Sequence, residues 1–185
     1  MKSISVSLVA FSLSISFALA QENIPGDSVY QLGGTWQTQD EKTIELRNLA
    51  GKTQVVAMIY TNCQHVCPVI VSSMKSIQKS LPEDISRDTE FILVTFTPNM
   101  DTPRVMREYF EMHQLDPDNW TFLRGSPDQV RDLAMVLGIR YRILDNNEVN
   151  HANLISVLDD RGRLEFQGSG ALSEAHAISS ELINN

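Results

Sequence analysis

Two thiols sit close together in Tyr60-Thr61-Asn62-Cys63-Gln64-His65-Val66-Cys67-Pro68, and they are the chain's 2 cysteines. Such a pair can staple the fold, exchange disulfides or hold a soft metal ion. The staple is the weakest use. A bridge from Cys63 to Cys67 closes a very short loop, for which chain entropy gives only about 2 kcal/mol. Spacing then separates the other two. Disulfide oxidoreductases with a helix after the dithiol usually place two residues between the cysteines. Here Gln64, His65 and Val66 intervene. A disulfide can still form if the alpha carbons approach, while the extra residue lets the sulfurs part around an ion. Two thiolates suit Cu(I), and an added imidazole suits Cu(II).

These thiols need a rigid platform. Val55–Tyr60 is a continuous apolar run, as expected for a strand buried on both faces. Pro68 fits the first position of a helix, with Ile70, Met74, Ile77 and Leu81 at helical spacing and Pro82 as its stop. Cys67 would then be the N-cap, and both sulfurs would face the positive end of the helix dipole. Phe91–Phe96 repeats the buried-strand pattern. Thr102-Pro103 opens a helix through about His113, and Trp120–Leu123 is a short strand. Ser126-Pro127 opens another helix, closed by Gly138. Asn153–Leu158 and Leu164–Gln167 flank the turn-rich Asp159–Gly162 as a hairpin, and Ser173 caps a last helix towards Ile183. Trp36–Leu46 alternates enough to suggest a short hairpin or edge strands, after a loose leader from Gln21 to Tyr30. Strand–helix alternation with a closing hairpin predicts an α/β fold. The pattern is thioredoxin-like, with a central mixed β-sheet flanked by helices. No linker or composition shift divides residues 21–185, so they are expected to form a single domain.

The first twenty residues read differently. Lys2 is followed by apolar residues and serines up to Ala18-Leu19-Ala20, a small-x-small site. That pattern predicts a secretory signal peptide over residues 1–20, or an uncut membrane anchor. An exported, periplasmic protein, soluble after cleavage, is the expectation. The net charge of −8 argues against holding nucleic acid through phosphates.

With its surroundings, the cysteine pair resembles the Sco/SenC family of copper proteins for cytochrome oxidase assembly. The resemblance runs from about Gln31 to Ile183. It rests on the YTNCQHVCP segment, the MDTPRVMREYF segment, Trp120 with the apolar residues after it, and VNHANLISVLDDRGRL. It implies a thioredoxin fold and a copper ion bound by Cys63, Cys67 and His151. It also implies delivery of that copper to the dinuclear centre of cytochrome c oxidase subunit two. A thiol-disulfide reductant is a further expected partner, because copper ligation needs thiolates and a disulfide removes both. Asp101 matches the aspartate of the family's DTP segment. The chain departs from the family at Thr97, where an aspartate in a V-D-P sequence is frequent, and at Met100, Gln64 and His65.

His65 lies inside the loop as an alternative ligand or proton donor. His113 and His176 read as surface residues on helices. Met58, Met74, Met106 and Met135 fall at core-like positions, and Met100 is loop-borne. Asp159 and Asp160 read as turn formers. Two other functions compete with a metallochaperone. A thiol-disulfide oxidoreductase of this fold usually sets a cis-proline against its dithiol, but the chain has no proline after Pro127, and His151-Ala152 occupy that stretch. A peroxide reductase wants threonine three residues before its reactive cysteine, where Tyr60 stands.

Overall fold

The computed structural model describes residues 24–184. The expected signal peptide lies outside the described residues. The main sheet has seven strands in the order β2-β1-β5-β4-β3-β8-β9. These are β1 (Trp36–Thr38), β2 (Thr43–Ile44), β3 (Thr53–Ile59), β4 (Thr89–Thr95), β5 (Trp120–Arg124), β8 (Leu154–Leu158) and β9 (Leu164–Ser169). A separate hairpin pairs β6 (Tyr141–Ile143) with β7 (Val149–His151). The helices are α1 (Val66–Ser80), α2 (Glu83–Arg87), α3 (Pro103–Met112), α4 (Pro127–Val136) and α5 (Ala175–Asn184).

The three central strands β3, β4 and β5 run parallel. They are the apolar runs, and Val55, Ala57, Ile59, Phe91, Leu93 and Phe122 are fully buried. Both faces of such strands are covered, so they show no polar alternation. Antiparallel strands flank them: β1 on β5, and β8 on β3. This is the expected mixed sheet with helices against it. On α1, Ile70, Met74 and Ile77 are buried, and the helix packs on α5.

Several local expectations change. α1 begins at Val66, so Cys67 lies inside its first turn, and His65 holds the N-cap position without a side-chain cap. Proline is tolerated throughout a first turn, because the N–H it lacks has no helical partner there. The sequence signal therefore misplaced the start by two residues. Pro82 does stop α1, and it also opens the short α2. Ser173 does not cap α5. It sits within a 3-10 turn, Leu172–Glu174, that precedes the helix. The leader is not loose at its end. Val29 and Tyr30 are buried, and the Tyr30 hydroxyl donates to Gln54 Oε1 at 2.7 Å.

Other signals hold. Thr102 caps α3 through Val105 N, and Ser126 forms a capping box with Gln129. Asp159 Oδ1 accepts from the N–H groups of Arg161 and Arg163 in the β8–β9 turn. Gly162 in that turn has φ +74°, and a Cβ there would lie 2.8 Å from the Tyr30 ring.

The topology brings three loops to one edge of the sheet. The carboxyl end of β3 leads through Tyr60–His65 into α1, and that of β4 leads through Phe96–Thr102 into α3. β8 runs antiparallel to β3, with Ile155 opposite Ala57. The connection from His151 to Leu154 therefore meets the carboxyl end of β3. Loops at this edge are where open α/β sheets bind ligands.

Candidate metal centre

Cys63 and Cys67 are both free thiols, buried at 9% and 0% exposure. The turn after β3 is closed by Cys63 N–H donating to the Tyr60 carbonyl at 3.2 Å. In the first turn of α1, Cys67 N–H donates to Cys63 Sγ at 3.4 Å. The Cys63 sulfur thus receives the helix terminus that no N-cap side chain satisfies. Negative charge is favoured at that terminus.

The two thiols differ accordingly. Burial raises the Cys63 pKa, but the N–H groups of Cys67, His65 and Val66 outweigh it and the net shift is downward. For Cys67, burial dominates and drives the pKa well up, with the neighbouring Cys63 and Asp101 charges adding to it. The sequence-based expectation that the helix end favours both thiolates holds for Cys63 alone. Cys67 is too deeply buried to share in it.

His151 stands at the end of β7, and its Nε2 lies 3.8 Å from Cys67 Sγ. Its Nδ1 is 3.0 Å from the Ala152 carbonyl oxygen. A carbonyl only accepts, so Nδ1 carries the proton and Nε2 offers its lone pair towards the sulfur. Burial lowers the His151 pKa, which keeps the ring neutral. Aromatic rings hold it in place. Phe96 lies 4.8 Å from His151 and 4.8 Å from Tyr141 between ring centroids, and Tyr60 meets His151 edge-on at 6.4 Å.

Asp101 is 2% exposed and forms the knot between two of the three loops. Its carboxylate accepts from the Thr61 N–H and hydroxyl, from the Thr97 hydroxyl at 2.9 Å and from the Thr95 hydroxyl. A buried carboxylate needs such donors to offset its lost hydration. The knot fixes Thr61 two residues before Cys63.

The structure therefore brings Cys67 and His151 into contact and puts Cys63 beside them. Two soft sulfurs and one imidazole with a free lone pair suit a copper ion. The arrangement is open. No three His, Cys, Asp or Glu side chains among the described residues already stand as a metal-holding cluster. Side-chain rotation in the Cys63 loop would have to close the set.

The remaining candidates separate. His65 is exposed and borders a cavity of about 410 Å³ with Cys63, Tyr60, Glu148 and His151. A second cavity of about 440 Å³ meets Cys63 from the other side, beside Tyr109, Met112 and His113. His113 is half-buried, with its ring 4.2 Å from that of Tyr109. His176 is exposed, as expected. Met58, Met74 and Met106 are core residues. Met135 is not: it is 71% exposed, because the buried face of α4 carries Val130, Leu133 and Ala134. Met100 is 46% exposed. Sequence reasoning missed Phe96, Tyr141 and the three threonines around Asp101. Thr95, Thr97 and Asp101 were visible as polar residues beside an apolar strand, but nothing in their spacing announced a shared carboxylate.

The sequence pattern of the SCO1/SenC family matches residues 27–180. The SCO1 protein homolog of Bacillus subtilis (strain 168) is 31% identical over 102 residues, covering 55% of this chain and 52% of that protein. The chain thus matches about half the length of that relative. Among solved structures, a SCO1/SenC family lipoprotein from Bacillus anthracis str. Ames superposes with TM-score 0.74 at 23% identity, covering 82% of this chain and 93% of that one. Bradyrhizobium japonicum ScoI with copper bound gives TM-score 0.67 at 22% identity, covering 82% and 99%. At that identity the two structures establish the shared thioredoxin-like fold.

Proposed function

The chain belongs to the SCO1/SenC family, and from that premise we propose that it binds one copper ion through Cys63, Cys67 and His151 and passes it to a client protein. The observation that carries this is the 3.8 Å approach of His151 Nε2 to Cys67 Sγ, with Nδ1 occupied by the Ala152 carbonyl. A histidine kept only for packing has no need of a free lone pair aimed at a thiol. Copper-bound ScoI of Bradyrhizobium japonicum shares the fold and supports the choice of metal. Copper is cargo here: the residues hold it, orient it and exclude water.

The client we propose is cytochrome c oxidase subunit two, and a thiol-disulfide reductant would return the cysteines to the metal-binding form. Residues 1–20 would direct export to the periplasm, and residues 21–185 would act as one domain. No helix among the described residues is long and apolar enough to cross a membrane.

The test is anaerobic copper titration of the reduced protein beside Cys63→Ala, Cys67→Ala and His151→Ala, followed by gel filtration and native mass spectrometry. One retained Cu(I) ion, lost in either cysteine variant, is expected. Equal retention by a double cysteine variant would remove the metal reading.

A second reading, thiol-disulfide exchange, is favoured by the asymmetry of the pair. Cys63 is the more exposed sulfur and has the lowered pKa, as suits an attacking thiolate, while Cys67 is buried behind it. Both readings use the same two sulfurs and are compatible.

A further inference from the structure

Cys67 does not line the cavity of about 410 Å³ that opens beside the dithiol; Cys63, His65, His151 and Glu148 do. Cys67 has no exposed surface at all. An ion entering this cavity therefore meets Cys63, His65 and His151 first, and reaches Cys67 only after further closure.

We propose that Cys63, His65 and His151 form an outer, cupric-ion site that shares two of its ligands with the inner set and replaces Cys67 with His65. The inference rests on the copper reading above and adds a ligand to it. The donor chemistry of the two sets differs. One thiolate with two imidazoles is a set suited to Cu(II), while two thiolates favour Cu(I). His65 has the freedom this role needs. Its side chain is exposed and caps nothing at the start of α1. His151 keeps its Nδ1–H on the Ala152 carbonyl and offers Nε2, which now faces Cys67 Sγ at 3.8 Å, as the ligating nitrogen. Glu148 is exposed on the same wall and adds a negative charge that favours a divalent ion at the mouth. On binding, the Cys63 thiol gives its proton to solvent as the copper–sulfur bond forms, and no electron moves.

The cleanest probe is the Cys67→Ser protein with one equivalent of Cu(II) under anaerobic conditions. This variant removes the inner set, and without a second thiol it cannot form an intramolecular disulfide. Serine is close in size to cysteine, and circular dichroism checks the fold. Electron paramagnetic resonance with nitrogen couplings should find two imidazole nitrogens, together with a thiolate-to-copper charge-transfer band. Adding His65→Ala should remove one nitrogen and weaken Cu(II) binding about tenfold or more. His65→Ala alone, an exposed change that leaves folding intact, should weaken Cu(II) capture and leave Cu(I) affinity unchanged. An unaltered nitrogen count and Cu(II) affinity in His65→Ala would overturn the outer site while leaving the inner one standing. Wild-type protein that binds no copper in either oxidation state would overturn both.

Discussion

Asp101 accepts hydrogen bonds from both the backbone N–H and the hydroxyl of Thr61, at 3.3 and 2.5 Å, across forty positions of sequence. This fastens the loop that starts α3 to the loop that carries Cys63. The other two donors, Thr95 and Thr97, come from the end of β4 and the residues after it. The carboxylate thus holds two of the three loops at the site in one register.

Removing that acceptor should be costly. In Asp101→Ala the hydroxyls of buried Thr95 and Thr97 and of half-buried Thr61 lose their shared partner. Hydrogen bonds to charged groups contribute about 1.5–3 kcal/mol each, and their losses do not add fully. Urea unfolding of the reduced protein should show a loss of about 2–4 kcal/mol. Alkylation of Cys63 should also change rate, because its loop is no longer fixed. An unchanged midpoint together with an unchanged alkylation rate would mean that the knot positions nothing.

The two thiols should label in order. Helix N–H groups pull the Cys63 pKa down, and burial drives that of Cys67 up. Mass spectrometry of the reduced protein after brief treatment with iodoacetamide near pH 7 should find the label on Cys63. Cys67 should react only on unfolding. Equal labelling of both, or labelling of Cys67 first, would contradict the geometry.

Cys67 also predicts how stability depends on pH. An acid whose pKa is raised by folding keeps its proton when the unfolded chain has already lost its own. Above about pH 8.5, the unfolded thiol value, the native state therefore binds more protons and stability falls as pH rises. Tyr30 and Tyr109, both raised by burial, extend the fall above about pH 10. Cys63 acts in the opposite sense. Its lowered pKa adds stability that is complete above the unfolded thiol value and is lost as pH falls through the folded one. Denaturant midpoints between pH 8 and pH 10 should decline in wild type and decline less in Cys67→Ser. A slope unchanged by that substitution would mean the Cys67 thiol is not the group responsible.

Much of this arrangement could be read from the sequence, because strong local signals wrote it. Val55–Tyr60 is apolar throughout and Phe91–Phe96 nearly so, as expected of strands covered on both faces. Thr102-Pro103 and Ser126-Pro127 announce helix starts through their own chemistry. The Cys63–Cys67 spacing was legible, and His151 was legible through the family resemblance. What stayed hidden was non-local or short. β6 and β7 have three residues each, too few for a period to show. Phe96 and Tyr141 meet around His151 only because three separate segments converge. Asp101 and Thr61 reveal nothing by spacing, since the fold alone joins them. The start of α1 was misplaced because proline fits more than one position in a first turn, and here the Cys63 sulfur does the capping that a side chain at the N-cap usually does.

The ring of Phe96 should matter to the site as well as to the core. It is buried between Tyr141 and His151. Phe96→Leu keeps an apolar side chain but gives up two aromatic contacts, worth about 0.5–1.5 kcal/mol each. Thermal unfolding should shift down by a few degrees. The His151 ring should gain motion visible as broadened imidazole resonances. Unchanged His151 resonances in a destabilised Phe96→Leu protein would confine Phe96 to packing.

His151→Ala separates the two proposed activities. The imidazole donates a nitrogen to copper but no electrons to a disulfide. A soft thiolate pair can hold Cu(I) without it, whereas Cu(II) gains more from nitrogen. The variant should therefore lose Cu(II) affinity by about tenfold or more, with a smaller loss for Cu(I). Its dithiol should still reduce a model disulfide, since Cys63 keeps the helix N–H groups that lower its pKa. In cells lacking the wild-type gene, the variant is returned and the copper content of the oxidase is measured. Loss of oxidase copper with His151→Ala, matching the loss with Cys63→Ala, would identify delivery as the function that matters. Full rescue by His151→Ala and failure of the cysteine variants alone would identify reduction of a client's thiols instead. Normal oxidase copper in every strain, the deletion included, would exclude this client and direct the search to another copper protein.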